Sequence, residues 1–192
     1  MNYFKFKKKK LIQLIKKKDR TIQKLKEENK KLSYYASRDD MTHLWNRRMG
    51  MEWLIEEIYR CRFHNDPITI CFIDLDNLKQ INDQFGHQQG DRFIKAFSIL
   101  LKKQIRKGDK AFRMGGDEFM IIFPNTTKEE ATHIVNRIHQ KIHDLNQKQI
   151  LPFIMSFSHG LCEYTREYVG TVSELINQAD QDMYRSKGKK NK

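Results

Sequence analysis

The sequence predicts an α/β (α+β) sandwich of ferredoxin-like or palm type: a mostly antiparallel central sheet covered by helices and preceded by a long N-terminal helix. Three observations carry this. The periodic segments follow in the order helix, strand, helix, hairpin, helix, strand, helix. The run Ile68 to Asp74 is apolar and β-rich, which suits a buried strand. Gly115-Gly116 stands between Lys110 to Arg113 and the β-prone Phe119 to Phe123, the pattern of a hairpin tip.

Each element has its own signal. Residues 8–37 lack Gly and Pro, and Leu11, Ile15, Ile22, Leu25 and Leu32 follow a heptad pattern. Asn29 then falls at an a position, where a polar residue sets register in a two-stranded coil, while Lys18 at d weakens the seam. Residues 1–37 are therefore read as a basic amphipathic helix able to pair as a coiled coil, and 38–192 as the globular domain. Arg47 to Phe63 forms a helix with Met51, Leu54, Ile55 and Ile58 on one face. Asp91 to Ile105 forms another, turning Phe93, Ile94, Phe97, Leu100 and Leu101 inward. Thr127 opens a helix to about Leu145, with Glu129 and Glu130 in its first turn. Pro152 to Tyr164 reads as a strand, Ser173 begins the last helix, and Lys187 to Lys192 is a lysine-rich tail.

Composition narrows the function classes. A chain of 192 residues with 39% hydrophobic content suits one cored domain plus an extension. The net charge of +13 is uneven: residues 1–32 hold 13 Lys and Arg against 3 acids, and the remainder 24 against 21. The basicity belongs to the arm, which argues against a nucleic-acid-binding fold. The lysines of the arm can meet an anionic membrane surface, but a solvated helix is the simpler expectation. Cys61, Cys71 and Cys162 are odd in number, widely spaced and without a CxxC pair, so a reducing cytoplasm fits best. No apolar run is long enough to span a bilayer, and no secretory h-region appears.

Two acidic segments carry the chemistry. Met114-Gly-Gly-Asp-Glu-Phe119 puts adjacent carboxylates at a glycine turn, where the main chain admits a close ligand. Asp74 lies where a buried strand emerges, with Asp76 two residues on and so on the same side if the strand continues. A strand-end Asp facing a hairpin-tip Asp suits Mg²⁺, which takes one or two carboxylates and phosphate oxygens. The alternative for Asp74 is a helix N-cap.

These residues belong to a wider set. Asp39-Asp-Met-Thr-His-Leu-Trp-Asn-Arg-Arg48, Asp74-Leu-Asp with Lys79 and Ile81-Asn-Asp83, Gly86-His87, Gly90-Asp91, Arg113 to Phe119, and Ala179-Asp180 through Tyr184 and Lys187 occur in this order. The chain from about residue 38 onward resembles the GGDEF-family diguanylate cyclases, bacterial signalling enzymes with a nucleotidyl cyclase fold that condense two GTP into cyclic di-GMP and two pyrophosphates. The resemblance implies that Asp74, Asp117 and the Leu75 carbonyl hold Mg²⁺, or Mn²⁺ in its place. It makes Glu118 a further metal ligand or the base nearest the attacking 3′-hydroxyl. Asn82 and Asp91 match the guanine readers, with helix capping as their alternative. Lys79 and Lys187 match phosphate contacts, and Gly115-Gly116 the close backbone approach. Arg106-Lys-Gly-Asp109 stands at the family's inhibitory RxxD site, with a plain basic turn as the alternative, and Arg60 at its cross-subunit inhibitory arginine. The two-fold product implies a C2 homodimer, which the N-terminal helix would concentrate.

The chain departs from the family in places. His43 replaces a glycine after Thr42, Leu78 stands where Phe is usual, and His159 occupies a position favouring an apolar residue. The tail lacks the usual Gly-Arg-Asn ending, where Lys190 is the candidate substitute. His139 and His143 lie at i and i+4 beside Asp144, a spacing that could hold a metal, with a solvated helix face expected instead. Two other classes compete with the enzyme: a GTP- or cyclic-di-GMP-binding module without turnover, and a nucleic-acid-binding palm-like domain. The intact acids oppose the first, and the near-neutral globular part opposes the second.

Overall fold

The computed structural model describes residues 3–190, leaving out the side chains at 3–7, 9, 30–32, 35 and 189–190. The heptad residue Leu32 and the candidate phosphate contact Lys190 therefore lie outside the described side chains. The chain divides into two units between Arg38 and Asp39.

The first unit is α1 (Tyr3–Ala36), 34 residues long. Leu11, Ile12, Leu14, Ile15, Ile22 and Leu25 are all exposed along it. No helix among the described residues is long and apolar enough to cross a membrane.

The second unit runs β1 (Trp45–Asn46), α2 (Arg47–His64), β2 (Ile68–Leu75), α3 (Leu78–Phe85), α4 (His87–Gln104), β3 (Lys110–Gly115), β4 (Glu118–Pro124), α5 (Lys128–Gln147), β5 (Phe157–Tyr164) and α6 (Val172–Lys190). The five strands form one sheet in the order β1-β3-β4-β2-β5. Every pairing is antiparallel except β1 with β3. The α/β sandwich with a mostly antiparallel sheet is therefore the observed architecture.

Period-two alternation explains why β2 and β4 read as continuous apolar runs. Cys71, Ile73 and Leu75, with Phe119, Ile121 and Phe123, face a core closed by α3, α4 and α5. Ile68, Ile70 and Phe72, with Met120 and Ile122, face a second core closed by α2 and α6. With both faces covered, neither strand keeps a polar face.

Caps fix the helix starts. Asn46 Oδ1 accepts from Met49 N at the start of α2, and Thr127 with Glu130 forms a full capping box on α5. Several boundaries differ from the sequence expectation. The helix expected from Asp91 begins at His87, so Asp91 lies inside α4 and does not cap it. The strand expected from Pro152 begins at Phe157, because the Asn146 side chain bonds both the carbonyl and the N–H of Met155 and holds that residue outside the sheet. Two short elements, β1 and α3, were not expected, being too brief to show a period. The lysine-rich tail continues α6 as far as Lys190.

Candidate active site

Three carboxylates gather at one end of the two central strands. Asp74 is the penultimate residue of β2, and its register partner across the ladder is Glu118, the first residue of β4. Asp117 occupies the turn between β3 and β4, and its carbonyl accepts from Leu75 N at 3.1 Å. The loop carrying Asp117 is thus tied to the strand carrying Asp74. Gly116 makes the turn with a φ of 44°, in the left-handed region that glycine enters without strain. Asp74 is not a helix cap: it lies in the strand, and α3 is capped by Asn77.

Arg113 fixes the hairpin. Its Nε and Nη2 donate to the Gly116 carbonyl at 3.0 and 2.7 Å, and its Nη1 donates to Asp39 Oδ1 at 3.2 Å. Asp39 in turn accepts from Thr42 N and Oγ1. Burial alone would raise the Asp39 pKa, but the Thr42 bonds and the Arg113 charge outweigh it and hold the carboxyl below its usual range. The turn includes His43 at a φ of 53°, a left-handed conformation that suits the glycine it replaces. This clamp joins residues 74 apart, a role no local pattern could show.

The acids repel one another. Burial raises the Asp74 pKa, and the charges of Asp117 and Asp76 raise it further. Burial also raises Glu118, reinforced by Asp117, Asp74 and Asp180 and opposed by Arg47. Lys187 answers from α6, its Nζ donating to Asp74 Oδ1 at 2.6 Å. Burial would lower the Lys187 pKa, but the bond to Asp74 and the field of Asp76 and Asp117 raise it. Ordinarily an ion pair lowers its acid. Here Asp74 stays raised because burial, helped by the charges of Asp117 and Asp76, outweighs the bond and charge of Lys187. An all-oxygen donor set with excess negative charge fits a hard divalent cation.

Asp76 does not extend the row formed by Asp74. The strand ends at Leu75, and Asp76 is buried, accepting from Ser158 Oγ at 2.7 Å. Lys79 is exposed on α3. Asn82 on α3 and Asp91 on α4 are both partly buried, on neighbouring helices. Gly90 explains their fit: a β-carbon there would meet Asn82 Oδ1 at 2.0 Å.

The RxxD segment forms a closed turn. Asp109, buried, accepts from Arg106 N and Nε at 2.9 Å each. The Arg106 Nη2 also donates to the Pro124 carbonyl and to Thr126 Oγ1. Arg60 pairs with Glu56 and Glu57 on its own helix. A cleft of about 840 Å³ brings Arg60 and Gly108 onto one lining, together with Trp53 and Lys110.

The expectation of a solvated helix face holds for His143, which is exposed, and fails for His139. Its ring stacks on Phe157 at 3.9 Å, and its Nε2 meets His159 Nδ1 at 3.1 Å. The sheet edge supplies a partner that the helix pattern could not reveal.

A five-stranded sheet with paired acids at the central strand ends, beside a glycine hairpin and the neighbouring helices α3 and α4, defines the class of the domain as an α/β sandwich with an acidic site at one sheet end. The family described as "Diguanylate cyclase, GGDEF domain" matches residues 36–192, and the chain belongs to it. Among curated relatives, "Probable diguanylate cyclase DgcC" of Escherichia coli strain K12 is 33% identical over 167 residues, covering 87% of this chain and 45% of DgcC. "Diguanylate cyclase DgcP" of the same strain is 34% identical over 176 residues, covering 91% of this chain and 51% of DgcP. The chain thus spans about half the length of these relatives. The diguanylate cyclase SiaD of Pseudomonas aeruginosa, solved with its activator SiaC, is similar at 27% identity and a TM-score of 0.75, over 98% of this chain and 72% of that one. The coiled coil and GGDEF domain of DgcB from Caulobacter crescentus, solved with c-di-GMP, shares the fold at a TM-score of 0.81, with 22% identity over 92% of this chain and 94% of that one.

Proposed function

We propose that the protein is a diguanylate cyclase that condenses two GTP into cyclic di-GMP and two pyrophosphates. The observation that carries this is the cluster of Asp74, Asp117 and Glu118, with two of its acids pushed up, in a chain of this family.

Asp74, Asp117 and the Leu75 carbonyl would hold Mg²⁺ or Mn²⁺, which when bound neutralises triphosphate charge. Glu118, beside them, would hold the proton of the attacking 3′-hydroxyl or complete the ligand set. Lys187 would pass from Asp74 to a phosphate oxygen, and Lys79 and Lys190 would meet phosphates as point charges. Gly115 and Gly116 would let the main chain approach the nucleotide. Asn82 and Asp91 would read guanine, since a carboxylate can accept both N1–H and the 2-amino group. Adenine would leave that polar site unpaired, a discrimination of roughly 10⁴-fold.

The two-fold product requires two GTP-loaded sites face to face, so the working form is a C2 homodimer. The exposed apolar residues of α1 favour pairing of two such helices, which raises the effective concentration of the domains. Cyclic di-GMP would inhibit at Arg106 and Asp109 with Arg60 of the second subunit. Binding there requires the Arg106 guanidinium to give up some of its present bonds. The test is incubation of the purified protein with GTP and Mg²⁺, followed by chromatography. Cyclic di-GMP is expected from the wild type and none from Asp117→Ala; nucleotide binding without that product leaves only a binding module.

A further inference from the structure

Two histidines from distant segments meet on the α5 face of the sheet edge. His139 comes from α5 and His159 from β5, with His139 Nε2 and His159 Nδ1 at 3.1 Å. Two imidazole nitrogens bound to one tetrahedral Zn²⁺ at ~2.0–2.1 Å each lie about 3.3 Å apart. The pair already stands within a few tenths of an ångström of that bite.

Both rings are preorganised. His139 lies flat on Phe157, with an interplanar angle of 8°. The His159 backbone is fixed by the β2–β5 ladder, where it is the partner of Ile73, and its ring lies 5.9 Å from that of Phe157. Both side chains are half-buried, so solvent and a hydrated ion reach them. Because the contact joins two ring nitrogens, one must donate N–H and the other accept. A metal dication takes the place of that shared proton, which shifts through solvent to the donor ring's other nitrogen, so both imidazoles stay neutral and offer a lone pair.

We propose that His139 and His159 form a binding site for a borderline transition-metal dication of the Zn²⁺ or Ni²⁺ class, with water in the remaining positions. Imidazole suits these ions, whereas Mg²⁺ prefers oxygen donors. The site is therefore chemically distinct from the acid cluster at Asp74, Asp117 and Glu118. It is also connected to it: Ser158, next to His159, is the register partner of Asp74 and donates to Asp76. An ion bridging α5 to β5 would stiffen the strand that borders the acids. No third His, Cys, Asp or Glu side chain among the described residues joins this pair in a group that could hold an ion. Two imidazoles are thus the protein's whole contribution, and His143, one turn along α5, is not needed.

The experiment is calorimetric titration of the untagged, EDTA-treated full chain with Zn²⁺, with histidine ring NMR as a second readout. Uptake of one Zn²⁺ per chain, with shifts at two histidines, is expected. His139→Phe keeps the stack on Phe157, and His159→Val places a β-branched residue in the strand. Each should lose the binding while melting like the wild type without metal. His143→Ala should keep it. Binding that survives His159→Val, or that is lost in His143→Ala, overturns the proposal, as does wild-type protein that takes up no Zn²⁺.

Discussion

Gly160→Ala tests how α6 is seated, and the structure sets the size of the effect. A β-carbon at Gly160 would lie 2.0 Å from the Ala179 carbonyl oxygen and 2.2 Å from Met183 N. Both are backbone atoms of α6, so no side-chain rotation relieves the clash. An ordinary contact needs ~3.5 Å, so helix and strand must part by about 1.5 Å. Overpacking of this kind costs about 3 kcal/mol, which lowers Tm by about 6–12 °C for a domain of this size. Lys187 lies one turn beyond Met183, and its Nζ bond to Asp74 at 2.6 Å does not survive such a shift. Thermal and urea melts of the variant beside Gly108→Ala provide the assay. Gly108 is the control, because a β-carbon there meets nothing within 4 Å. A Gly160→Ala protein melting within about 1 °C of wild type would refute the reasoning, since it would mean that strand and helix are not in backbone contact.

Three other outcomes follow from the same geometry. Gly90→Ala meets only the far end of the Asn82 side chain and should push it aside, raising KM for GTP several-fold with little change in Tm; an unchanged KM would deny Asn82 its role in reading the base. Arg106→Ala strips the buried Asp109 of its guanidinium and should cost about 1–3 kcal/mol in a urea melt, while product inhibition weakens and the initial rate holds; an unaltered inhibition curve would dispose of the site. Glu118→Gln removes an acid whose folded-state pKa is raised, so ionised Glu118 opposes folding above that pKa and the penalty vanishes as pH falls through it. In EDTA the variant should therefore melt higher than wild type at about pH 7.5, and the two should converge in acid as Glu118 protonates. A wild type that is the more stable at neutral pH would show that the cluster is not strained.

Much of this site was legible because its signals are local. The glycine turn, the acids at its exit and the buried strand ending in Asp74 each follow from a few adjacent residues, and their order along the chain carried the family resemblance. The capping box at Thr127 and Glu130 was legible for the same reason: its two bonds span three residues. The caps of α3 and α4 were harder, because Asn77 and Gly86 are cap residues without a side-chain cap bond. The start of β5 was set by a hydrogen-bonded pair nine residues apart, beyond the reach of a period-two pattern.

The sequence by itself determined the apolar periods, the turn chemistry and the identity of the acids, because these depend on neighbours along the chain. Tertiary structure decided which charges confront one another: Lys187 on Asp74, Arg113 between Asp39 and the Gly116 carbonyl, and Ser158 on Asp76. It also turned His139 from solvent to a stacked, paired ring. Electrostatic and packing energies depend on distance in space, and only the folded sheet brings residues 20 to 113 positions apart within reach of a hydrogen bond.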